Sequence, residues 1–237
     1  MSRSYSSTYS HYEDRAGNLL ELLSDHSTDP IHYRMAMYGL GELMGSWLLE
    51  EIDDPEAGVY LAFTVEDADF LAAGILKQME SKLGHVPFAC FWNQRFSPFD
   101  IDDLNVAPII REFKEPVGAR VKYLIVVKSI ISGACVVRTN LEHLIEKIMP
   151  ERIFIVAPVI HEQSEEKLRR EFEPEIYNKF EFFYFAKDSE RLPDGEIVPG
   201  IGGSVYERLG FEGQDDKNRY TPDLVRRRRT QLVSTFG

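Results

Sequence analysis

Five short runs of almost unbroken apolar residues constrain this chain more than any other feature. They cover residues 59–63, 87–92, 121–127, 152–158 and 180–185. A strand that is apolar at every position buries both of its faces, the mark of a parallel sheet covered on each side. Helical spacing intervenes at residues 66–83, stopped by Gly84, at 135–148 and at 162–172. The expectation is an α/β fold, a parallel sheet flanked by helices. Ligands of such sheets sit outside the carboxyl ends of the strands. The search for function therefore narrows to the loops after Phe63, Trp92, Val127, Val159 and Phe185.

Around this core lie three further segments. Residues 1–30 read as a loose tail with one short helix near Leu19–Leu23, and residues 32–52 as a helix lying across the core, whose Gly39, Gly41 and Gly45 permit close packing. Residues 93–120 are too long for a routine connection. Their apolar content (Phe96, Phe99, Ile101, Leu104, Ile109, Ile110, Phe113) predicts an arm or hairpin that makes a subunit contact in a homodimer or larger assembly. Thr221-Pro222-Asp223 starts a C-terminal helix that runs into Arg226, Arg227, Arg228 and Arg229. The expected division is a tail (1–30), a central domain (31–210) and a basic helix (211–237).

Composition excludes several classes. Asp plus Glu outnumber Lys plus Arg by 39 to 27, a net charge of −12, which disfavours wrapping nucleic acid over the whole surface while allowing a local basic patch. Cys90 and Cys135 make no disulfide framework and show no zinc spacing. No run is apolar enough to span a bilayer and residues 1–10 hold no apolar leader, so a cytoplasmic protein without membrane contact is expected.

Two loops carry possible chemistry. Ser132-Gly133-Ala134, opening a helix at Cys135, would present main-chain N–H groups and a helix dipole to a phosphate; the plain alternative is a connecting turn. In 196–203, Gly200, Gly202 and Gly203 would let the main chain beside Ile197 approach a flat ligand edge; the alternative is a tight surface turn. Asp100, Asp102 and Asp103 read as a solvated loop, and His161 as a helix cap or a pocket residue.

Taken in order, these loops resemble the type I phosphoribosyltransferases, and among them the uracil phosphoribosyltransferases. The run Val127-Lys-Ser-Ile-Ile-Ser-Gly-Ala134 aligns with the family's Asp-Pro-Met-Leu-Ala-Thr-Gly-Gly loop, which grips the phosphate and ribose of phosphoribosyl pyrophosphate. Pro150-Glu151-Arg152-Ile153 matches a family strand entry, and Ala186-Lys-Asp188 leads on to Glu196-Ile-Val-Pro-Gly-Ile-Gly-Gly203, similar to the family's base loop. The resemblance implies phosphate binding at Ser132, Gly133, Ala134 and Cys135, and base binding at Ile197, Gly200, Gly202 and Gly203.

The departures are chemical. Val127 stands where the family's ribose-binding aspartate would be, and an aliphatic chain cannot accept those hydrogen bonds. The family's pyrophosphate loop corresponds to Thr64-Val-Glu66-Asp67-Ala-Asp69, whose carboxylates would repel a pyrophosphate unless metal intervened. The expectation is a phosphoribosyltransferase-like protein with degenerate motifs that binds a nucleotide, phosphosugar or partner. Proteins of this look occur as accessory components of bacterial antiphage systems, some retrons included. The alternative is an active transferase or related N-glycosidic enzyme on a pyrimidine. There Asp188, Glu66 or Asp67 would be catalytic, with Mg²⁺ as the possible cofactor. Arg226–Arg229 are the candidate nucleic-acid or protein surface, against the simpler role of stabilising a helix end.

Overall fold

The computed structural model describes residues 3–98, 106–118, 120–193 and 195–236. The acidic run Asp100, Asp102 and Asp103 lies outside them, as do Phe99, Ile101 and Leu104.

Five strands form the expected parallel sheet: β2 (Val59–Thr64), β3 (Phe88–Asn93), β5 (Tyr123–Val127), β7 (Arg152–Val156) and β9 (Phe180–Phe183). A sixth, β4 (Ile109–Lys114), joins antiparallel at the edge, giving the order β4-β3-β2-β5-β7-β9. Alternate residues of one strand enter different cores. Leu61 and Phe63 face one, Tyr60 and Ala62 the other, which is why the runs show no period of two. The first face is covered by α1 (Glu13–Ser24), α2 (Pro30–Glu51) and α3 (Ala73–Leu83). The second is covered by α4 (Cys135–Ile148), α5 (Ser164–Arg170) and the single turn α6 (Pro174–Tyr177).

Helix α2 is started by Asp29, whose Oδ1 accepts from the N–H groups of Ile31 (2.9 Å) and His32 (3.2 Å), with Pro30 in the first turn. It crosses α3 at backbone contact. A Cβ on Gly41 would lie 2.2 Å from the Leu71 carbonyl oxygen, and one on Gly74 would lie 2.2 Å from that of Tyr38. Before α3 the expected helix begins as a π-helical turn at Ala68–Ala72. Among the described residues no helix is long and apolar enough to cross a membrane.

Three of the parallel strands break and resume, so that β7 and β9 end short of the apolar runs at 152–158 and 180–185. After two residues, β5, β7 and β9 are followed by β6 (Ile130–Ile131), β8 (Val159–His161) and β10 (Ala186–Asp188). At the breaks, Lys128 N–H donates to the Val156 carbonyl (2.9 Å), and Phe185 and Ala186 N–H to that of Pro158 (3.1 Å each). Pro158 has no N–H for the main ladder, so the second run cannot continue straight. The resumed strands join β1 (Arg3–Tyr5) in a smaller sheet, of order β1-β10-β8-β6.

Strand β1 corrects the reading of residues 1–30. It runs antiparallel to β10 and is followed by a 3₁₀ turn at Ser7–His11 and then by α1, so this segment is built into the domain rather than a loose tail. Within 93–120 the described residues make an antiparallel return. Phe96 bridges Val106, and β4 returns along β3 with Phe113 against the Phe88 ring. After β11 (Glu190–Arg191) and β12 (Ile197–Val198) come the short helices α7 (Val205–Arg208) and α8 (Gln214–Arg219). Helix α9 (Asp223–Phe236) continues past Arg229, because nothing in Thr230-Gln-Leu-Val-Ser breaks it.

Candidate functional site

Both loops singled out in the sequence meet at the carboxyl end of the sheet. The loop after β6 and the loop around β12 line one divided pocket. One lobe, of about 300 Å³, is bounded by Ile197, Ile201, Gly203, Val205 and Tyr206. The other, of about 230 Å³, is bounded by Gly133, Cys135, Val136 and Arg191. Arg95, Lys128 and Ser132 border both. Ser132, Gly133, Cys135, Ile197 and Gly203 thus line the two lobes. Ala134 is the residue before α4, with no side-chain cap on that helix. Gly200 and Gly202 serve the backbone: both have positive φ, and a Cβ on Gly202 would lie 2.3 Å from the Leu23 carbonyl.

The pocket is cationic although the chain is acidic. The Arg191 guanidinium reaches across to the Ser132 carbonyl oxygen. Arg95 is held through its backbone, its N–H donating to Gln214 Oε1 (2.6 Å) and its carbonyl accepting from Gln214 Nε2 (3.0 Å). Among the described residues no carboxylate forms an ion pair with either guanidinium. Glu196 is the carboxylate on the wall of the base-side lobe. The Arg95 and Arg191 positions were not anticipated; Arg191 sits in a two-residue strand with no periodic signal.

The acidic loop after β2 has a different role from the one its sequence suggested. Lys128 Nζ donates to Glu66 Oε1 (2.9 Å) and Asp67 Oδ2 (3.1 Å), with all three side chains buried. Asp67 also accepts from the Thr64 hydroxyl (2.6 Å) and the Ser129 N–H (3.0 Å). Lys217 Nζ, buried in α8, donates to the Asn93 carbonyl (2.7 Å) and stands 3.9 Å from Glu66 Oε2. Burial pushes the Glu66 carboxyl up, but Lys128 and Lys217 outweigh it and hold it at about 2. Burial works against the Lys128 ammonium, and Asp67 and Glu66 overcome it, so its pKa rises. Asp69 faces away, accepting from Asp223 N–H and Leu224 N–H (2.8 Å each) and so capping α9. The carboxylates expected to repel a phosphate are therefore matched internally. Mg²⁺ does not fit here, since an ammonium already sits between Glu66 and Asp67. The missed signal was Lys128 itself, a charge directly after an apolar strand.

Asp188 is wholly buried and bracketed. Arg3 Nε and Nη2 donate to its two oxygens (2.8 and 2.7 Å), and Gly200 N–H donates to Oδ2 (2.8 Å). Arg3 Nη2 also reaches the Gly200 carbonyl (2.7 Å). The aspartate pins the base-side loop to the N-terminal strand, and both its oxygens are occupied. His161 Nδ1 accepts from the N–H of Gln163, the residue before α5 (3.2 Å), and α5 has no side-chain cap.

The arginine run divides. Arg226, Arg227 and Arg229 are exposed on α9, Arg226 pairing with Asp223 (3.0 Å). Arg228 is no part of that surface: it is buried against Glu80 and Glu115 and lies over the Phe88 ring. Lys217, close to that run in sequence, is internal, held by the Asn93 carbonyl and Glu66. Burial raises the pKa of both thiols, that of Cys90 strongly.

No family model matches the sequence, and no curated protein matches it. Solved structures do. The AQ2163 protein of Aquifex aeolicus superposes with a TM-score of 0.65 at 13% identity, covering 84% of this chain and 95% of that one. TT1426 of Thermus thermophilus gives 0.43 at 10% identity over 77% and 94% of the two chains. The hypoxanthine-guanine phosphoribosyltransferase of L. donovani gives 0.38 at 10% identity over 65% and 77%. The first likeness establishes the fold, and the last two are too loose to argue from. With a mostly parallel sheet, helices on both faces and its two loops meeting at the carboxyl end, the chain shares the α/β fold of the AQ2163 protein.

Proposed function

We propose that this protein binds a nucleotide or phosphosugar anion in the divided pocket and does not transfer phosphoribose. The observation that supports this reading is the pair of guanidiniums, Arg95 and Arg191, that border the Ser132–Gly133 loop without a carboxylate partner among the described residues. Cations so placed, beside main-chain N–H groups at a helix start, favour a phosphate. The lobe walled by Ile197, Ile201, Val205 and Tyr206 offers an apolar and aromatic surface for a base. Against transfer stand Val127 at the ribose position and the pairing of Glu66 and Asp67 with Lys128. A homodimer through residues 93–120, a partner on the exposed arginines of α9 and an antiphage setting belong to the proposal on the strength of the resemblance.

Isothermal titration with uridine and adenosine monophosphates, inorganic phosphate and phosphoribosyl pyrophosphate tests it. Binding of a nucleotide is expected, with Arg191→Ala and Arg95→Ala each weakening it by about tenfold or more, the scale of a charge-assisted hydrogen bond. Release of pyrophosphate with a base present, or no binding at millimolar ligand, would overturn the reading.

A further inference from the structure

We infer that the pocket takes its phosphate ligand free of divalent metal, with Lys128 as the built-in cation that makes Mg²⁺ unnecessary. The inference deepens the anion-binding reading above and rests on it for the ligand, while the cation site can be tested separately.

The geometry of the loop after β2 supports it. A divalent ion between Glu66 and Asp67 would need oxygens at about 2.1 Å, several of them, in a near-octahedral shell. The two carboxylates are instead spaced for an ammonium, with N···O separations of 2.9 and 3.1 Å. Lys128 directs its third donor to Ser129 Oγ at 3.4 Å. Both Asp67 oxygens are taken, Oδ1 by the Ser129 N–H and Oδ2 by the Thr64 hydroxyl and Lys128. The remaining atom, Glu66 Oε2, is buried without a hydrogen-bond partner and faces a second ammonium, Lys217, at 3.9 Å. Two carboxylates are thus answered by two ammoniums. Adding a divalent ion would bury two further positive charges in a site already compensated, at a heavy desolvation cost.

Lys128 is also placed to matter to a ligand, since it borders both lobes of the pocket together with Arg95. A nucleoside monophosphate carries about −1.5 to −2 charge at neutral pH. Arg95 and Arg191 supply two positive charges at the wall, so that class of ligand needs no metal to be neutralised. A metal-chelated pyrophosphate ester would bring its own dication toward Lys128 and be repelled. The site therefore selects uncomplexed phosphate monoesters over magnesium pyrophosphate esters.

The experiment uses the full chain and two probes. Uridine and adenosine monophosphates are titrated in EDTA and again with excess MgCl₂. Affinities equal within about twofold are expected, and a gain of about tenfold or more with magnesium would overturn the inference. Separately, Mn²⁺ is titrated and its bound fraction read by electron paramagnetic resonance. Wild type is expected to bind no Mn²⁺ that Asp67→Asn removes, and Lys128→Met is expected to gain such a site. Mn²⁺ bound by wild type and lost in Asp67→Asn would overturn the inference even if no nucleotide binds, whereas absence of nucleotide binding in both buffers overturns the anion-binding reading. If Lys128→Met does not fold, the wild-type melting curve decides: superimposable curves in EDTA and MgCl₂ support the built-in cation, and a magnesium-dependent rise refutes it.

Discussion

Replacing Arg3 with alanine removes the only side chain that neutralises Asp188 among the described residues. The carboxylate is fully buried, and it loses two hydrogen bonds of 2.8 and 2.7 Å while keeping one, from the Gly200 N–H at 2.8 Å. Breaking a buried pair from one side costs about 3–5 kcal/mol because the other charge stays behind. Arg3 itself is 11% exposed at an edge strand, so water reaches the vacated space and the lower figure applies. About 3 kcal/mol in a chain of this length lowers the melting temperature by roughly 6–12 °C. Arg3→Lys keeps the charge but loses the two-pronged geometry and should fall between wild type and alanine. The assay is thermal and urea unfolding of wild type, Arg3→Ala, Asp188→Asn and the double variant. The cycle should show strong coupling, with the double variant little worse than the worse single one. A drop under about 2 °C for Arg3→Ala, or additive single effects, would refute the bracket. Because the bracket holds Gly200, nucleotide affinity in Arg3→Ala should fall beyond what unfolding accounts for.

Gly133→Asp should leave the melting temperature unchanged, since an added Cβ meets nothing within 4 Å, yet weaken phosphate binding by about tenfold through charge repulsion. Unaltered affinity in that variant would remove the loop after β6 from the site. Gly74→Ala drives a Cβ to 2.2 Å from the Tyr38 carbonyl and should cost at least about 1–3 kcal/mol in urea unfolding. Burial, then the Arg191 charge, pushes the His161 imidazole below its ordinary 6.5. The neutral ring is therefore the folded form, and its contribution is present above that value and lost as the pH falls below it. His161→Gln should flatten the stability profile between about pH 7 and 5, and an unchanged slope would show that His161 does not set it.

What could be read from the residues alone depended on how local the cause was. The five main strands were legible because each buries two faces, and no other element tolerates such runs at that length. The start of α4 at Cys135 was legible because small residues precede it. The second sheet was not: strands of two or three residues have no period to detect, and Arg3 meets Asp188 across 185 positions. Edge strand β4, Ile109-Ile-Arg-Glu-Phe-Lys114, alternates too weakly to stand out from a loop. The acids of 66–69 were read as repulsive because the lysine that matches them lies 61 and 62 residues downstream. Arg228 was misplaced for a related reason. A cationic segment advertises its charge, but not which of its members turn inward.

The cap on α9 sets an order of events during synthesis. Asp69 leaves the ribosome 154 residues before the Asp223 N–H that it will receive. At about 5–20 residues per second this is a wait of roughly 8–30 s. Through that interval the carboxylate is hydrated at the mouth of a half-built sheet, and the Phe88 ring lacks the Arg228 guanidinium that will lie over it. The N-terminal N–H groups of α9 are answered only when a residue placed long before them comes into reach. A chain stopped within the 14 residues of α9 would therefore keep most of its core but leave this seam unclosed.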